Sequence, residues 1–205
     1  MIGKISPHGT SLESQVWYLY GPGKSHEHVD PHLVAGWRSP AELEPPLRPS
    51  GRRDMRRLIG LLLQPYAAMG QLGSPRPVWH CLLSAAPTDR VLSDVEWGDI
   101  AVDVMLRTGL SDGQDDEGVR WIDEGVRWIA VRHAADHIHV VAMLARQDGR
   151  RPRLSFDRRR VRDACQAAED RYGLRKTGPR RAGASSENPS GISTSRPART
   201  TQVLR

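Results

Sequence analysis

The 205-residue sequence predicts an α+β fold. It has a central antiparallel sheet with a histidine strand near its middle, helices packed on one face, and a disordered basic C-terminal tail. Three observations predict it. Residues 78–84 (VWHCLLS) and 137–144 (HIHVVAML) are apolar runs of strand length. Thr10-Ser-Leu-Glu13 and Ser93-Asp-Val-Glu96 each match a helix capping box and precede apolar residues at helical spacing. After Gly173 the chain turns Ser-, Pro-, Gly- and Arg-rich, with too little apolar surface to offset its ordering entropy. The expected organisation is one domain over residues 1–177 and a tail over 178–205.

In chain order, Met1 to Ile5 reads as a short strand. Thr10 is the expected cap of a first helix, in which Leu12, Val16 and Leu19 fall on one face. At about 100° per residue, Tyr18 lies away from that stripe and Tyr20 at its edge. Gly21-Pro22-Gly23 ends the helix. Residues 21–54 read as loop, with His26, His28 and His32 close enough in sequence to form an alternative metal site. Arg53 to Gly70 reads as a helix carrying Leu58, Leu61, Leu62 and Met69, interrupted near Pro65. A strand over 78–84 follows, then a helix with Trp97, Ile100, Ala101 and Val104 inward and Gly109 just past its end. Asp157 is the expected cap of a last helix bearing Val161, Ala164, Cys165, Ala168 and Tyr172.

Residues 116–122 (DEGVRWI) recur at once as 123–129. One seven-residue copy is too short for a solenoid. Because seven is odd, both copies cannot lie in one strand with the same face buried. One copy is expected to pair in the sheet and the other to loop out.

Charge is distributed unevenly. Residues 146–205 carry sixteen Lys/Arg and six Asp/Glu, whereas residues 1–145 carry fourteen and eighteen. A basic C-terminal portion suits a polyanion such as nucleic acid. Cys81 and Cys165 sit on apolar patterns and read as core residues of a cytoplasmic protein. No run approaches the ~18 apolar residues of a membrane span.

The chemistry concentrates in Arg132-His133-Ala-Ala-Asp136-His137-Ile138-His139. Residues two apart on a strand share a face, so His137 and His139 present their rings side by side. Neutral imidazole is the commonest metal ligand. His133 is a third ligand within reach, and Asp136 stands ready to orient a ring. His80, on the preceding strand, either faces the same site or packs in the core.

Trp17-Tyr18-Leu-Tyr20-Gly-Pro-Gly-Lys24, Trp79-His80 through Trp97, and the histidine run stand in the order of the relaxase (mobilisation nuclease) family, which the chain resembles over roughly residues 1–177. These nucleases are histidine–hydrophobe–histidine single-strand endonucleases, and the Tyr-Leu-Tyr-Gly-Pro-Gly run is similar to actinobacterial plasmid versions. The resemblance implies a divalent cation, Mg²⁺ or Mn²⁺, on His133, His137 and His139. It implies nicking of single-stranded DNA at a transfer origin by Tyr18, or alternatively Tyr20, through a 5′-phosphotyrosine. Asp136 would orient a ligand or assist the tyrosine's proton, and accessory mobilisation proteins would be partners. Charge and position nominate Arg146, Arg150, Arg151 and Arg153 for phosphates, and Trp17 or Trp37 for stacking on bases, with the strand lying across the face opposite the helices. In better-known relatives the third histidine lies further upstream. The short C-terminus and the duplication also suit a truncated, non-catalytic DNA-binding relative. A rolling-circle initiator shares the histidine pair, but its tyrosine usually follows the histidines; here only Tyr172 does.

Overall fold

The computed structural model describes residues 1–23, 28–70, 73–111, 113–114, 120–121 and 125–178. The expected tail beyond 178 lies outside the described residues. The elements are β1 (Ile2–Ile5), α1 (Leu12–Tyr20), β2 (His32–Gly36), α2 (Pro40–Leu43), α3 (Arg56–Met69), β3 (Val78–Ser84), α4 (Asp94–Thr108), β4 (Gly113–Gln114), β5 (Arg120–Trp121), β6 (Val126–Arg132), β7 (His137–Arg146) and α5 (Asp157–Tyr172). Five strands form one antiparallel sheet in the order β1-β3-β7-β6-β2, so the histidine strand is its central member. Among the described residues, no helix is long and apolar enough to cross a membrane.

Alternation along β7 divides the core in two. Ile138, Val140, Ala142 and Leu144 join Trp79, Cys81 and Leu83 of β3 under α4 and α5. Val141 and Met143 point the other way and pack with Leu12, Val16 and Leu19 of α1 and Leu58, Ile59 and Leu62 of α3. Helices therefore cover both faces, not one as the sequence predicts. The reason is that β7 is apolar at every position past His139 until its last residue, and a strand buried on both faces needs a cover on each. Consequently α1 and α3 cover part of the face expected to receive DNA, and among the described residues the half-buried His137 lies at its other end.

Helix ends follow local chemistry with two shifts. Ser93 and Glu96 form the expected reciprocal capping box, and Gly109 takes the left-handed conformation (φ 74°) after α4. In α1 the cap is Ser11, not Thr10: the Ser11 carbonyl accepts the first helical bond from Gln15, so its hydroxyl is the one placed to accept from Ser14 N–H (3.1 Å). In α5, Phe156 occupies the cap position with φ 56°, and Asp157 is already helical. The Asp157 carboxylate instead accepts from the Trp79 indole (3.2 Å), tying α5 to β3. The segment expected as loop contains β2, which pairs with β6 at the sheet edge. Its five residues, directly after Pro31, are too short to show a period.

Pro65 does not interrupt α3. A proline removes the N–H that would bond to the carbonyl four residues earlier, here that of Leu61. The Arg127 guanidinium supplies the missing donor, reaching Leu61 O at 2.5 Å and Gln64 Oε1 at 2.8 Å. Arg127 sits where the β6–β7 register shifts, between Val126 and Trp128, an irregularity of the kind that re-aims a side chain. It belongs to the second copy of the duplicated heptapeptide, the copy that forms β6. From the first copy, Arg120–Trp121 pairs with Gly113–Gln114 in a separate two-stranded ladder; its other residues lie outside the described ones.

Replacing Arg127 by Met is expected to cost about 1–3 kcal/mol in urea unfolding, because the Leu61 carbonyl loses a charged donor. Adding Pro65→Ala should recover much of this loss, since the new N–H can bond Leu61 O within the helix. A double-mutant cycle with no coupling would show that the guanidinium does not fill this role.

Candidate metal centre

The site is built on the turn between the two central strands. Residues 133–136 connect β6 to β7 and are pinned from several directions. Arg132 donates through Nε to Ala134 O (3.1 Å) and through Nη2 to Ala135 O (3.1 Å). Val29 N–H donates to His133 O (2.8 Å), and Ala85 N–H to Asp136 O (2.9 Å). The chain thereby reverses between His133 and His137, which brings His133 back over the strand. The four-residue separation of His133 from His137 is the length of this turn.

His133, His137 and His139 each offer one ligand nitrogen, and these atoms lie within 4.8 Å of one another. Their ring centroids are 4.7 to 5.4 Å apart. His133 and His139 are buried and His137 is half-buried, leaving one imidazole edge toward solvent. Asp136 Oδ1 lies 2.7 Å from His137 Nδ1; with the carboxylate accepting an Nδ1 proton, the neutral ring would present its lone pair at Nε2. His139 Nδ1 lies 2.8 Å from His80 Nε2. If His139 is to ligate through Nε2, its Nδ1–H must donate to His80, which fixes the tautomers of both rings. Burial, reinforced by the neighbouring imidazoles, pushes the His139 pKa down to about 2, and burial lowers that of His80. Both rings are therefore neutral, as a metal ligand and its acceptor require. The donor set fits a metal ion: three convergent imidazoles, two of them oriented through the nitrogen that does not ligate.

The remaining sequence candidates separate clearly. Of the loop histidines, His28 comes to the site. Its ring lies 3.6 Å from that of His133, and its Nδ1 is 2.9 Å from the Gly21 carbonyl at the end of α1. His32 instead approaches Asp94 (3.3 Å), and His26 lies outside the described residues. Tyr18 is exposed and meets the His28 ring edge-on at 5.2 Å. Tyr20 is half-buried beside Glu44, whose carboxylate accepts from its hydroxyl (3.4 Å). Burial, then the Glu44 charge, raises the Tyr20 pKa, so this phenol is held protonated. Arg146 ends β7 roughly 23 Å from His139, at about 3.3 Å per residue. Its guanidinium rests on Asp148 (2.9 Å), which Arg150 also approaches. Arg151 donates to Gly73 O (2.9 Å), and Arg153 is exposed. Trp37 packs against the cores under Arg127, whereas Trp17 stands 47% exposed. Tyr172 bonds to Asp99 (3.2 Å) on α4, outside the histidine cluster. His28 was the residue least legible in the sequence, because nothing in a Gly/Pro-flanked loop indicates which of three histidines turns inward.

An antiparallel sheet whose central hairpin gathers three imidazoles defines a domain with a histidine cluster able to hold a metal ion. The family model described as Relaxase: MobA/VirD2-like, nuclease domain matches residues 66–174, just over half the chain. The protein belongs to the relaxase family. No curated protein and no solved structure matches the chain. The matched span contains His80 and the three clustered histidines, while α1 with Tyr18 precedes it.

Titration of the purified protein with Mn²⁺ is expected to show one site, lost in His137→Ala. His80→Phe should weaken it about 10- to 100-fold, the usual effect of removing a partner that orients a ligand. His80→Gln, which keeps an acceptor near Nε2, should retain most of the affinity. Equal affinity in wild type and His80→Phe would remove His80 from the centre.

Proposed function

We propose that the protein is a metal-dependent relaxase that nicks one DNA strand at a plasmid transfer origin and holds the end on Tyr18 for later rejoining, in conjugative mobilisation. The observation that carries this reading is the continuous contact from Tyr18 through His28 to His133, beside the three-histidine cluster. Residues 1–177 are the nuclease domain on this reading, with α1 contributing the nucleophile from outside the span of the family match.

His133, His137 and His139 would hold a divalent cation, which would supply positive charge to offset the negative charge developing on the scissile phosphate. Three imidazole nitrogens suit a transition-metal ion better than Mg²⁺, so Mn²⁺ is the preferred of the two. Asp136 and His80 keep two of the ligand rings in the correct tautomer. The Tyr18 hydroxyl oxygen forms a bond to phosphorus as the bond to the 3′ oxygen breaks. The phenol gives up one proton and the departing oxygen takes up one, so the products are a 5′-phosphotyrosine and a free 3′-OH. The ester keeps the energy of the broken bond, and attack by a 3′-OH reverses the step. Tyr20 is the poorer nucleophile, since its buried hydroxyl already serves Glu44.

The test is covalent capture. Incubating the protein with Mn²⁺ and single-stranded oligonucleotides tiling the transfer origin of its genetic element should give a protein–DNA adduct on a denaturing gel. Tyr18→Phe and His137→Ala should each abolish it, while Tyr20→Phe should retain it. An adduct that survives Tyr18→Phe would transfer the role to another residue. If wild-type protein binds the origin strand and forms no adduct, the non-catalytic DNA-binding reading replaces this one.

A further inference from the structure

Beside the tyrosine helix lies a cleft of about 890 Å³. One wall is the C-terminal half of α1, including Trp17; the other is the segment 47–56. That segment is a tight turn closed by pairing of Leu47 with Arg53, with Arg48 N–H donating to Arg52 O (2.8 Å) and Gly51 N–H to Arg48 O (2.9 Å). Gly51 has φ +76°, a conformation that side-chain-bearing residues rarely adopt, and a Cβ there would meet nothing. The turn is therefore held by backbone geometry, and it presents arginines to the cleft.

Four guanidiniums (Arg48, Arg52, Arg53 and Arg56) line the space against two carboxylates, Asp30 and Asp54. Arg53 is committed to Glu44 (2.7 Å) and the Pro45 carbonyl (3.0 Å), so it belongs to the wall. Arg48 and Arg56 share the single Asp54, at 2.9 and 2.7 Å, and each keeps N–H donors beyond those the carboxylate can satisfy. Arg52 has no ion-pair partner among the described residues. Trp17 is 47% exposed on this wall and immediately precedes Tyr18. Surplus guanidinium donors suit phosphate oxygens, and an exposed indole suits the face of a base. Only an unpaired base offers that face.

We infer that this cleft binds nucleotides of the single strand adjoining the scissile phosphate. Trp17 stacks on a base, and Arg52, with Arg48 and Arg56, takes the backbone. The inference rests on the reading of Tyr18 as the nucleophile, because Trp17 places the cleft one residue from it. It assigns the positively charged track near the chemistry to the segment 47–56, in place of the arginines that follow β7.

Binding is measured by fluorescence anisotropy with a fluorescein-labelled oligo-dT strand and, separately, a labelled duplex, without metal so that no cleavage intervenes. Trp17→Ala should weaken single-strand binding about tenfold or more and Trp17→Phe should restore most of it. Arg52→Ala should reduce the slope of log affinity against log salt by about 0.7, the value for one fewer phosphate neutralised on a single strand. Both sites are exposed, and circular dichroism confirms that the variants remain folded. Wild-type affinity and salt slope in both variants, or equal weakening toward duplex, would overturn the inference. If the variants lose binding while wild type forms no covalent adduct, the cleft stands and the nicking reading falls. If wild type forms the adduct and the variants bind normally, the nicking reading stands and the cleft falls.

Discussion

The pairing of β6 with β7, and the four-residue turn that joins them, is the constraint on which the rest of the structure depends. These strands lie side by side in the sheet, and their register sets which side chains share the histidine face. His139 stands opposite Val131, and His137 lies beyond the last ladder pair, Arg132 with Ile138. A slip of one residue would turn both imidazoles into the core under α4 and α5 and bring Ile138 and Val140 to the site. The turn then carries His133 back over the strand. Arg132, Val29 and Ala85 fix it by hydrogen bonds to four successive carbonyls, so the third imidazole is positioned by contacts from three other parts of the chain.

One face of the sheet serves two purposes along the length of β7. At the histidine end it is polar and partly open; two residues further on, Val141 and Met143 are completely buried beneath α3. The same alternation of side chains produces both, and only residue identity changes. This arrangement gives α3 its importance. It covers the far half of the face. Its continuity past Pro65 relies on a guanidinium from β6, so the strand that carries the site's turn also completes this helix. The heptapeptide duplication is accommodated without disturbing this, because the copy adjoining the turn is the one in the sheet.

The tyrosine helix is attached to the same core. Leu12, Val16 and Leu19 are almost wholly buried against α3 and the strands, which leaves Tyr18 on the outer side of α1. His28 connects the two regions, with its ring against His133 and its Nδ1 at the Gly21 carbonyl. Trp17 and Tyr18, adjacent in sequence, are about 100° apart around the helix. One lines the arginine cleft while the other meets the histidine side.

The sequence by itself determined the antiparallel α+β class, the central place of the histidine strand, the capping box of α4, and the shared face of His137 and His139. Each follows from residues close together in the chain, where a period of two or 3.6 and a capping pair express backbone geometry directly. The family was legible for the same reason, since its marks lie in local runs whose order survives in one dimension. Only the tertiary structure decided that His28 reaches the cluster while His32 does not, that Tyr20 is spent on Glu44, that Arg127 completes α3, and that helices close both sides of the sheet. Most of these outcomes join residues tens of positions apart. Which loop imidazole turns inward, and which proline-orphaned carbonyl finds a donor, depends on what the fold places opposite, and no local pattern carries that information.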